Sequence, residues 1–296
     1  MQAMPKFIAT WRDERLAAIP DPPDILYHYT DTPGLMGIFS SSQLWATDAM
    51  YTNDRTEVLH SLVMLRLVLD ELGLDRMADL AVDTMLIAAE EFYTVVQVLA
   101  VSFCKDGDLL SQWRGYGQAG GYSIGFDSKV LKSLTTKDVM ITPVVYNPET
   151  QEQQIHTLVG RWRELFVDTD PKEFNKQNRR LSAFIFAQAL IFLAATFKSH
   201  GFHEEAEWRL AYRRQVLAKD DTALTLGFRD RKGMVASFAH IPLPEVKDGR
   251  GPARRIVLGP TANPNLVGFG LYQYLQSLGY SADAVEIAPS EVTLRL

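Results

Sequence analysis

The chain contains the stretch Gly121-Tyr122-Ser123-Ile124-Gly125-Phe126-Asp127. Large apolar residues at positions 122, 124 and 126 alternate with small or polar residues at 123, 125 and 127. Such alternation is typical of a β-strand with one face in the core, because successive side chains of a strand point to opposite faces of the sheet. The stretch therefore predicts a half-buried strand, and with it a sheet.

Further short strands are predicted on both sides of this stretch, and helices separate them irregularly. The other strands are expected near residues 25–30, 44–47, 96–103, 140–146, 208–212, 222–228, 234–241, 255–258 and 284–287. The sequence has neither a glycine-rich dinucleotide-binding fingerprint nor a phosphate-binding loop motif. The pattern favours an α+β fold with a mixed, largely antiparallel sheet and helical insertions over a doubly wound parallel sheet.

Helical segments are predicted before the first strand and in the middle of the chain. Residues 1–24 are interpreted as an N-terminal helical extension that ends at several prolines, which cannot continue a helix. Residues 25–296 are predicted to form a single α+β domain with a helical insertion at about 150–198. Within the insertion, the apolar segment 181–197 is slightly short for a membrane span and is interpreted as a buried core helix.

The composition is typical of a globular protein with a full core, since 47% of the 296 residues are hydrophobic and 22% are charged. The formal net charge of −6 argues against broad, sequence-independent binding to nucleic-acid phosphates. The single cysteine, Cys104, cannot form an intrachain disulfide and is expected to be a buried core residue. No signal peptide is recognised. These features predict a cytoplasmic protein without membrane contact.

The first group of candidate functional residues lies at the end of the first predicted strand. His28, Tyr29 and Thr30 follow one another there and precede a helix start at Asp31. An imidazole at the edge of a strand can hydrogen-bond a ligand. It can equally be a structural histidine that bonds a backbone carbonyl, and both interpretations remain open at this stage.

The second group surrounds a glycine-rich bend. It consists of Trp113, Arg114, Tyr116 and Tyr122. Aromatic side chains beside such a bend could stack on a planar ring, and the guanidinium of Arg114 could hold a phosphate. The alternative is a hairpin loop whose aromatic side chains pack on the sheet.

The third group consists of carboxylates that lie close together in the sequence, just before the predicted apolar strand at 208–212. Glu205 and Glu207 are two residues apart, so on a strand they would share one face with Arg209. Two close carboxylates disfavour full ionisation, and the pKa of at least one is expected to rise. Such an arrangement favours a functional role. The alternative is an exposed acidic strand edge that is paired with Arg209 and Arg213.

Two other kinds of catalytic site are disfavoured. His200 and His203 could join the neighbouring glutamates in a metal site, but their spacing matches no standard zinc motif. A serine hydrolase is disfavoured because the sequence has no Gly-x-Ser-x-Gly elbow. No metal is therefore expected.

Several separated motifs resemble the bacterial domain-of-unknown-function family 2971 (DUF2971). These motifs are Tyr27-His28-Tyr29-Thr30, Leu44-Trp45-Ala46-Thr47, Asn53-Asp54-x-x-Glu57, Leu110 to Tyr116, Gly121 to Asp127, Glu205-x-Glu207-Trp208-Arg209 and Ser290-Glu291-Val292-x-Leu294-Arg295. The resemblance runs from about residue 25 to the end of the chain.

The order of the motifs is also similar, more distantly, to ADP-ribosyltransferases of the DarT type, which modify DNA. The shared order is a strand-borne histidine, here His28, then an aromatic residue, then a glutamate that opens a later strand, here Glu207. A later Ile-x-x-Gly-Pro turn, here Ile256 to Pro260, continues the resemblance. The middle motif departs from the pattern, because several aromatic residues compete for one role.

The resemblance to ADP-ribosyltransferases implies a fold core, a substrate and roles for the candidate residues. NAD would be the substrate, with the adenosine-side ribose held by His28 and the nicotinamide stacked on Tyr122 or Tyr116. Glu207 would stabilise the oxocarbenium-like state as the nicotinamide glycosidic bond breaks. Glu205 would orient an acceptor, which would be a nucleic acid or a protein.

The remaining candidates complete the implied NAD site. Arg114 or Arg209 would meet the pyrophosphate, and Tyr29, Thr30 and Trp113 would line the bound nucleotide. Such an enzyme fits a bacterial toxin or phage-defence setting. The alternative function is a non-catalytic module that binds a nucleotide or a protein.

Overall fold

A computed structural model describes residues 3–49, 56–73, 80–116, 120–136, 138–167, 175–215, 224–231 and 233–292. The helices in these ranges are α1 (Ala3–Ala17), α2 (Thr32–Ser41), α3 (Thr56–Glu71), α4 (Leu80–Val95), α5 (Leu110–Tyr116), α6 (Ser128–Ser133), α7 (Pro148–Glu164), α8 (Lys176–Ala194) and α9 (Pro264–Ser277). A 3₁₀ helix covers His200–Glu205.

The strands are β1 (Ile25–Thr30), β2 (Gln43–Asp48), β3 (Val96–Cys104), β4 (Tyr122–Asp127), β5 (Val139–Pro143), β6 (Glu207–Gln215), β7 (Leu226–Arg231), β8 (Met234–Pro242), β9 (Ala253–Leu258) and β10 (Glu286–Pro289). They form one ten-stranded sheet. The β9–β10 pair is parallel, and the other named strand pairs are antiparallel. This architecture confirms the predicted α+β class with a largely antiparallel sheet.

Strand β3 is the centre of the sheet. Strand β6 pairs with it along its whole length, from Val96↔Gln215 to Cys104↔Glu207. Strands β1 and β2 must therefore share the other edge of β3. Beyond β1 the order is β4, β9 and β10, and beyond β2 it is β8 and β7.

The sheet divides at this shared edge. Strand β1 meets β3 at Tyr27↔Cys104, and β2 meets it at Thr47↔Ala100 and Asp48↔Leu99. If either register continued, β1 and β2 would both need positions 101–103 of β3. Each strand instead turns away and stays paired with its outer neighbour, β4 or β8. We call this place, where β1 and β2 diverge beside residues 101–103, the sheet fork.

Helices cover the two faces of the sheet. One face, which by strand alternation carries Glu207 and Ala211, packs against α1, α3, α4, α7 and α8 around buried residues such as Trp162 and Phe186. The other face packs against α2 and α9 around Leu26, Phe103 and Phe126. Segment 181–197 covers most of α8, and its apolar side chains pack in the core on the Glu207 face of the sheet. No helix among the described residues is long and apolar enough to cross a membrane.

Helices α7 and α8 lie between β5 and β6 along the chain, where the helical insertion is predicted. They pack against one another and against α1, α3 and α4, so the helical layer includes the N-terminal helix. Cys104 is buried, as expected, and burial raises the pKa of its thiol.

Two short helices were not predicted. Residues Leu110–Tyr116, interpreted from sequence as part of a glycine-rich bend, form α5, and Ser128–Ser133 form α6. Helices of this length hardly exceed one or two turns, so they carry almost no apolar periodicity. The motif residues Asn53, Asp54, Leu294 and Arg295 lie outside the described residues.

Candidate functional site at the sheet fork and strand β6

His28 lies on β1 directly after the residue at which β1 leaves β3. Its Nδ1 is 2.9 Å from the backbone oxygen of Ser102, a residue of the fork. Burial lowers the pKa of His28, the charge of Arg229 lowers it further, and the bond to Ser102 opposes both. The imidazole is therefore neutral near pH 7. Because a carbonyl can only accept, Nδ1 carries the proton and Nε2 is left as an acceptor.

The other branch of the fork presents an aromatic and cationic surface. Arg229 on β7 donates to the hydroxyl of Thr47 at 2.6 Å, and its guanidinium lies 5.9 Å from the ring centroid of Trp45. Trp45 stacks on Phe238 at 4.5 Å and is 40% exposed. The electrostatic effect of Arg229 on His28 connects this surface with the opposite branch.

Tyr29 and Trp113 attach the segment after β3 to strand β1. The hydroxyl of Tyr29 donates to the carbonyl of Asp106 at 3.0 Å and accepts from the amide of Leu109 at 2.8 Å. The ring of Trp113 meets that of Tyr29 edge to face at 4.8 Å. Trp113 is only 1% exposed, and its indole donates to Asp108 at 2.6 Å. Both side chains thus belong to a small packed cluster.

The other candidates of the first two groups are spread over different environments. Tyr122 pairs with Thr30 across β1 and β4 and is buried in the core on the face opposite Glu207. Arg114 is exposed on α5, and Tyr116, at the end of that helix, is 44% exposed. Of the three aromatic candidates Trp113, Tyr116 and Tyr122, Tyr116 offers the most surface to a ligand.

Glu207 is the centre of a buried charge network. Its carboxylate accepts from Lys198 Nζ at 2.8 Å and from Arg209 Nε at 2.8 Å. Lys198 Nζ also reaches Glu205 at 2.7 Å, and the backbone amide of Glu207 donates to the hydroxyl of Tyr146 at 2.9 Å. Glu207 is 3% exposed, and Lys198 and Arg209 are buried as well.

The network reverses one expectation from the sequence. Burial favours the neutral acid, but the charges and hydrogen bonds of Arg209 and Lys198 outweigh it, so the pKa of Glu207 falls from 4.5 to about 2. The sequence predicts a raised pKa for at least one of the two carboxylates. The pKa of Glu207 instead falls, because two buried cations lie closer to it than sequence spacing suggests. Arg213 instead pairs with Asp138 at 2.6 Å.

The geometry of Glu205 also differs from the expectation. Glu205 ends the 3₁₀ helix, and β6 begins only at Glu207. Between them Ala206 has a left-handed backbone conformation (φ 41°), which residues other than glycine rarely adopt. The two carboxylates therefore do not share a strand face by alternation. They meet because this turn directs both toward Lys198.

Strand pairing relates Glu207 to the fork. Tyr27, Cys104 and Glu207 are direct neighbours across β1, β3 and β6. His28 follows Tyr27 and so lies on the opposite face of the sheet. His28 and Glu207 thus flank the same end of β3 from its two edges and its two faces.

The alternative metal set is not assembled around the glutamates of this network. His200 and His203 stack on each other at 4.9 Å, and His203 Nδ1 is 3.0 Å from the carbonyl of His200. In the described part of the chain, the side chains whose ligand atoms converge are Glu71, Glu152 and His156, on α3 and α7.

Four residues of these arrangements were missed as site residues from sequence: Lys198, Tyr146, Arg229 and Trp45. Lys198 lies just past a long apolar helix, where a cation is usually interpreted as a flanking charge. The signal that could have identified it was the nearby excess of glutamates, which need a buried cation to share a site.

Comparisons with known proteins bear on the family alone. A search of curated proteins and a search of solved structures each found no match. A family model described as "Protein of unknown function (DUF2971)" matches residues 112–210, from α5 to β6. The matched segment includes β4, Lys198 and the Glu207 network. This match supports the resemblance to DUF2971 predicted from the sequence motifs, and it covers residues 112–210 of the chain.

Proposed function

We propose that the chain is an ADP-ribosyltransferase-like enzyme that binds NAD at the sheet fork and transfers ADP-ribose to an acceptor. The observation that carries the proposal is that two polar groups flank the same end of β3. These are the acceptor nitrogen of His28 at the fork and the ionised carboxylate of Glu207 at the start of β6. The order of these residues in the sequence, similar to that of ADP-ribosyltransferases, adds to this support.

The proposed reaction needs a fixed negative charge. When the bond between nicotinamide and ribose breaks, its electron pair leaves with the nicotinamide nitrogen and the ribose becomes an oxocarbenium-like cation. A preorganised carboxylate stabilises that cation as it develops. With a pKa of about 2, Glu207 is ionised at every physiological pH. The acceptor then forms a bond to the ribose carbon and releases a proton.

The cations around Glu207 have a part in this proposal. Its carboxylate is already neutralised by Lys198 and Arg209, which weakens its action on a nearby cation. The pyrophosphate of NAD carries the opposite charge to these two side chains and would compete for them. In this proposal Arg209 turns toward the pyrophosphate, and one oxygen of Glu207 becomes available to the ribose.

Nicotinamide release tests the proposed chemistry. Wild-type protein given NAD should release nicotinamide, and Glu207→Gln should reduce the rate by about 100-fold or more, because the fixed charge is lost. The rates are measured by chromatography at a temperature at which circular dichroism shows the variant to be folded. Glu204→Gln, an exposed neighbour, is the matched control and should retain the wild-type rate. A folded Glu207→Gln protein with wild-type release would refute the assignment.

NAD affinity tests the role of His28. Replacing His28 by alanine removes one hydrogen bond to a ribose hydroxyl, worth about 1.5 kcal/mol, so the Kd for NAD should rise roughly tenfold. Calorimetric titration of the folded variant provides the measurement. The exposed His203→Ala is the control and should bind NAD like the wild type. An unchanged Kd in His28→Ala would leave this histidine with a purely structural bond to Ser102.

A second candidate function is a non-catalytic module that binds a nucleotide or a protein. The observation in its favour is the complete pairing of Glu207, whose two oxygens both contact buried cations, as in a structural ion network. This function predicts NAD or nucleotide binding without nicotinamide release. It also predicts that Glu207→Gln changes stability and leaves ligand affinity unaltered. The titration and release measurements described above separate the two candidates.

A further inference from the structure

Three metal-ligating side chains converge on the helical layer. Glu152 and His156 lie four residues apart on α7, and Glu71 is the last residue of α3. Residues at this spacing are neighbours on one face of a helix. The Nε2 atom of His156 lies 3.5 Å from a carboxylate oxygen of Glu71 and 3.8 Å from one of Glu152. The ligand atoms all lie within 4.8 Å of one another.

The two distances from His156 are longer than strong hydrogen bonds and close to the spacing of ligand atoms around a shared cation. Strong hydrogen bonds between nitrogen and oxygen are about 2.7–3.2 Å long. In a tetrahedral zinc site with bonds of about 2.0–2.1 Å, neighbouring ligand atoms lie roughly 3.4 Å apart. His156 forms no other polar contact among the described residues, so its imidazole is available as a ligand. The two glutamates also bring negative charges that a cation would balance.

We propose that Glu71, Glu152 and His156 form a binding site for a divalent transition-metal ion that joins the end of α3 to α7. One imidazole and two carboxylates suit Zn²⁺ or Co²⁺, whereas Ca²⁺ and Mg²⁺ prefer more ligands and only oxygen. All three side chains are partly exposed, so the ion can enter from solvent and water can complete its coordination.

The proposed ion would stabilise the packing of two helices. Helices α3 and α7 both pack in the helical layer, and the ion would add a link between one helix end and the middle of another. Because the ligands converge only in the folded chain, ion binding should raise the midpoint of thermal unfolding. This proposal does not depend on the proposed NAD chemistry.

Metal titration of the full chain, first treated with a chelator, tests the proposal. Co²⁺ should produce a saturable visible absorption at one equivalent, and Zn²⁺ should displace it and raise the thermal midpoint. In His156→Ala and Glu71→Gln the affinity should fall at least about tenfold, a conservative figure for loss of a metal-supporting group. At the same zinc concentration, the rise of the thermal midpoint should be smaller in both variants than in the wild type.

A control separates this site from the other histidine pair. The double variant His200→Ala/His203→Ala should retain the one-equivalent cobalt spectrum. Circular dichroism verifies that each variant is folded, and Glu152→Gln replaces any variant that is not. The proposal is wrong if wild-type protein shows no saturable binding at millimolar metal, or if folded His156→Ala and Glu71→Gln bind the metal with the wild-type affinity. It is also wrong if the double variant abolishes binding.

Discussion

Replacing Glu207 by glutamine should lower the free energy of unfolding by about 3–5 kcal/mol, the usual cost of breaking a buried ion pair from one side. The neutral amide is nearly the same size, so packing is retained. Lys198 and Arg209 would remain buried next to it with one compensating charge fewer. Chemical denaturation followed by circular dichroism measures the loss. Glu204→Gln, on the exposed 3₁₀ helix, should stay within about 0.5 kcal/mol of the wild type.

The same carboxylate predicts a dependence of stability on pH. Its pKa is lower in the folded chain, at about 2, than the ordinary 4.5. The resulting stabilisation is therefore fully present above about pH 4.5 and is lost as the pH falls through about 2. This lowering of the pKa corresponds to a contribution of about 3 kcal/mol to the free energy of unfolding. The difference in free energy of unfolding between wild type and Glu207→Gln should become smaller as the pH falls from about 4.5 to about 2. A difference that stays constant over this range would contradict the ionised, paired state of Glu207.

A stable network and a catalytic carboxylate are compatible only if the ligand changes the pairing. Glu207 is held by Lys198 and Arg209, and Ala206 adopts a costly backbone conformation directly before it. Strained backbone at such a position is common in functional sites, where the surrounding structure must hold it. In the proposed function the Kd for NAD should therefore be weaker than the new contacts alone would give, because binding breaks part of the network and the measured Kd includes that cost.

The fold class could be predicted from local patterns, whereas the sheet fork could not. The alternation in β4 and the apolar run of β3 correctly indicate strands, because half-burial and β-propensity are properties of neighbouring residues. The fork arises because β1 and β2 compete for one edge of β3. That competition depends on pairings between distant segments, and no short window of sequence contains it.

The candidate site shows the same division. The closeness of Glu205 and Glu207 is visible in the sequence, and the structure does join them through a common cation. The identity of that cation, Lys198, depends on a 3₁₀ helix and a left-handed turn that follow α8. The pKa of Glu207 is therefore lowered, whereas two neighbouring carboxylates alone would raise it.

The aromatic candidates illustrate why residue type does not determine a role. Trp113, Tyr116 and Tyr122 all lie within the 18 residues that follow β3, and from sequence any of them could stack on a ring. In the structure Trp113 is buried on the inner side of α5, Tyr122 faces a core, and Tyr116 is 44% exposed. The burial of Trp113 and the exposure of Tyr116 depend on how α5 packs, and α5 is too short to be recognised from sequence.

Replacing Trp113 by alanine should lower the free energy of unfolding by about 3–5 kcal/mol, as for other large-to-small changes in cores. Its ring fills a cluster with Tyr29, Cys104 and Val257. Its indole also donates a hydrogen bond to Asp108. The carboxylate of Asp108 accepts from the hydroxyl of Ser290 and so holds the C-terminal segment next to this cluster. Denaturation with Trp113→Ala and with the exposed Tyr116→Ala measures the contrast, and the second change should cost less than about 0.5 kcal/mol.

The phenylalanine variant separates the two contributions of Trp113. Trp113→Phe retains most of the apolar contact with Tyr29 and loses the bond to Asp108, so it should cost only about 1–3 kcal/mol. A stacking role toward NAD predicts a different result, in which Trp113→Ala weakens NAD binding while stability hardly changes. Because the side chain is enclosed on all sides by protein, we expect the loss of stability, and Tyr116 then becomes the aromatic residue to test for contact with nicotinamide.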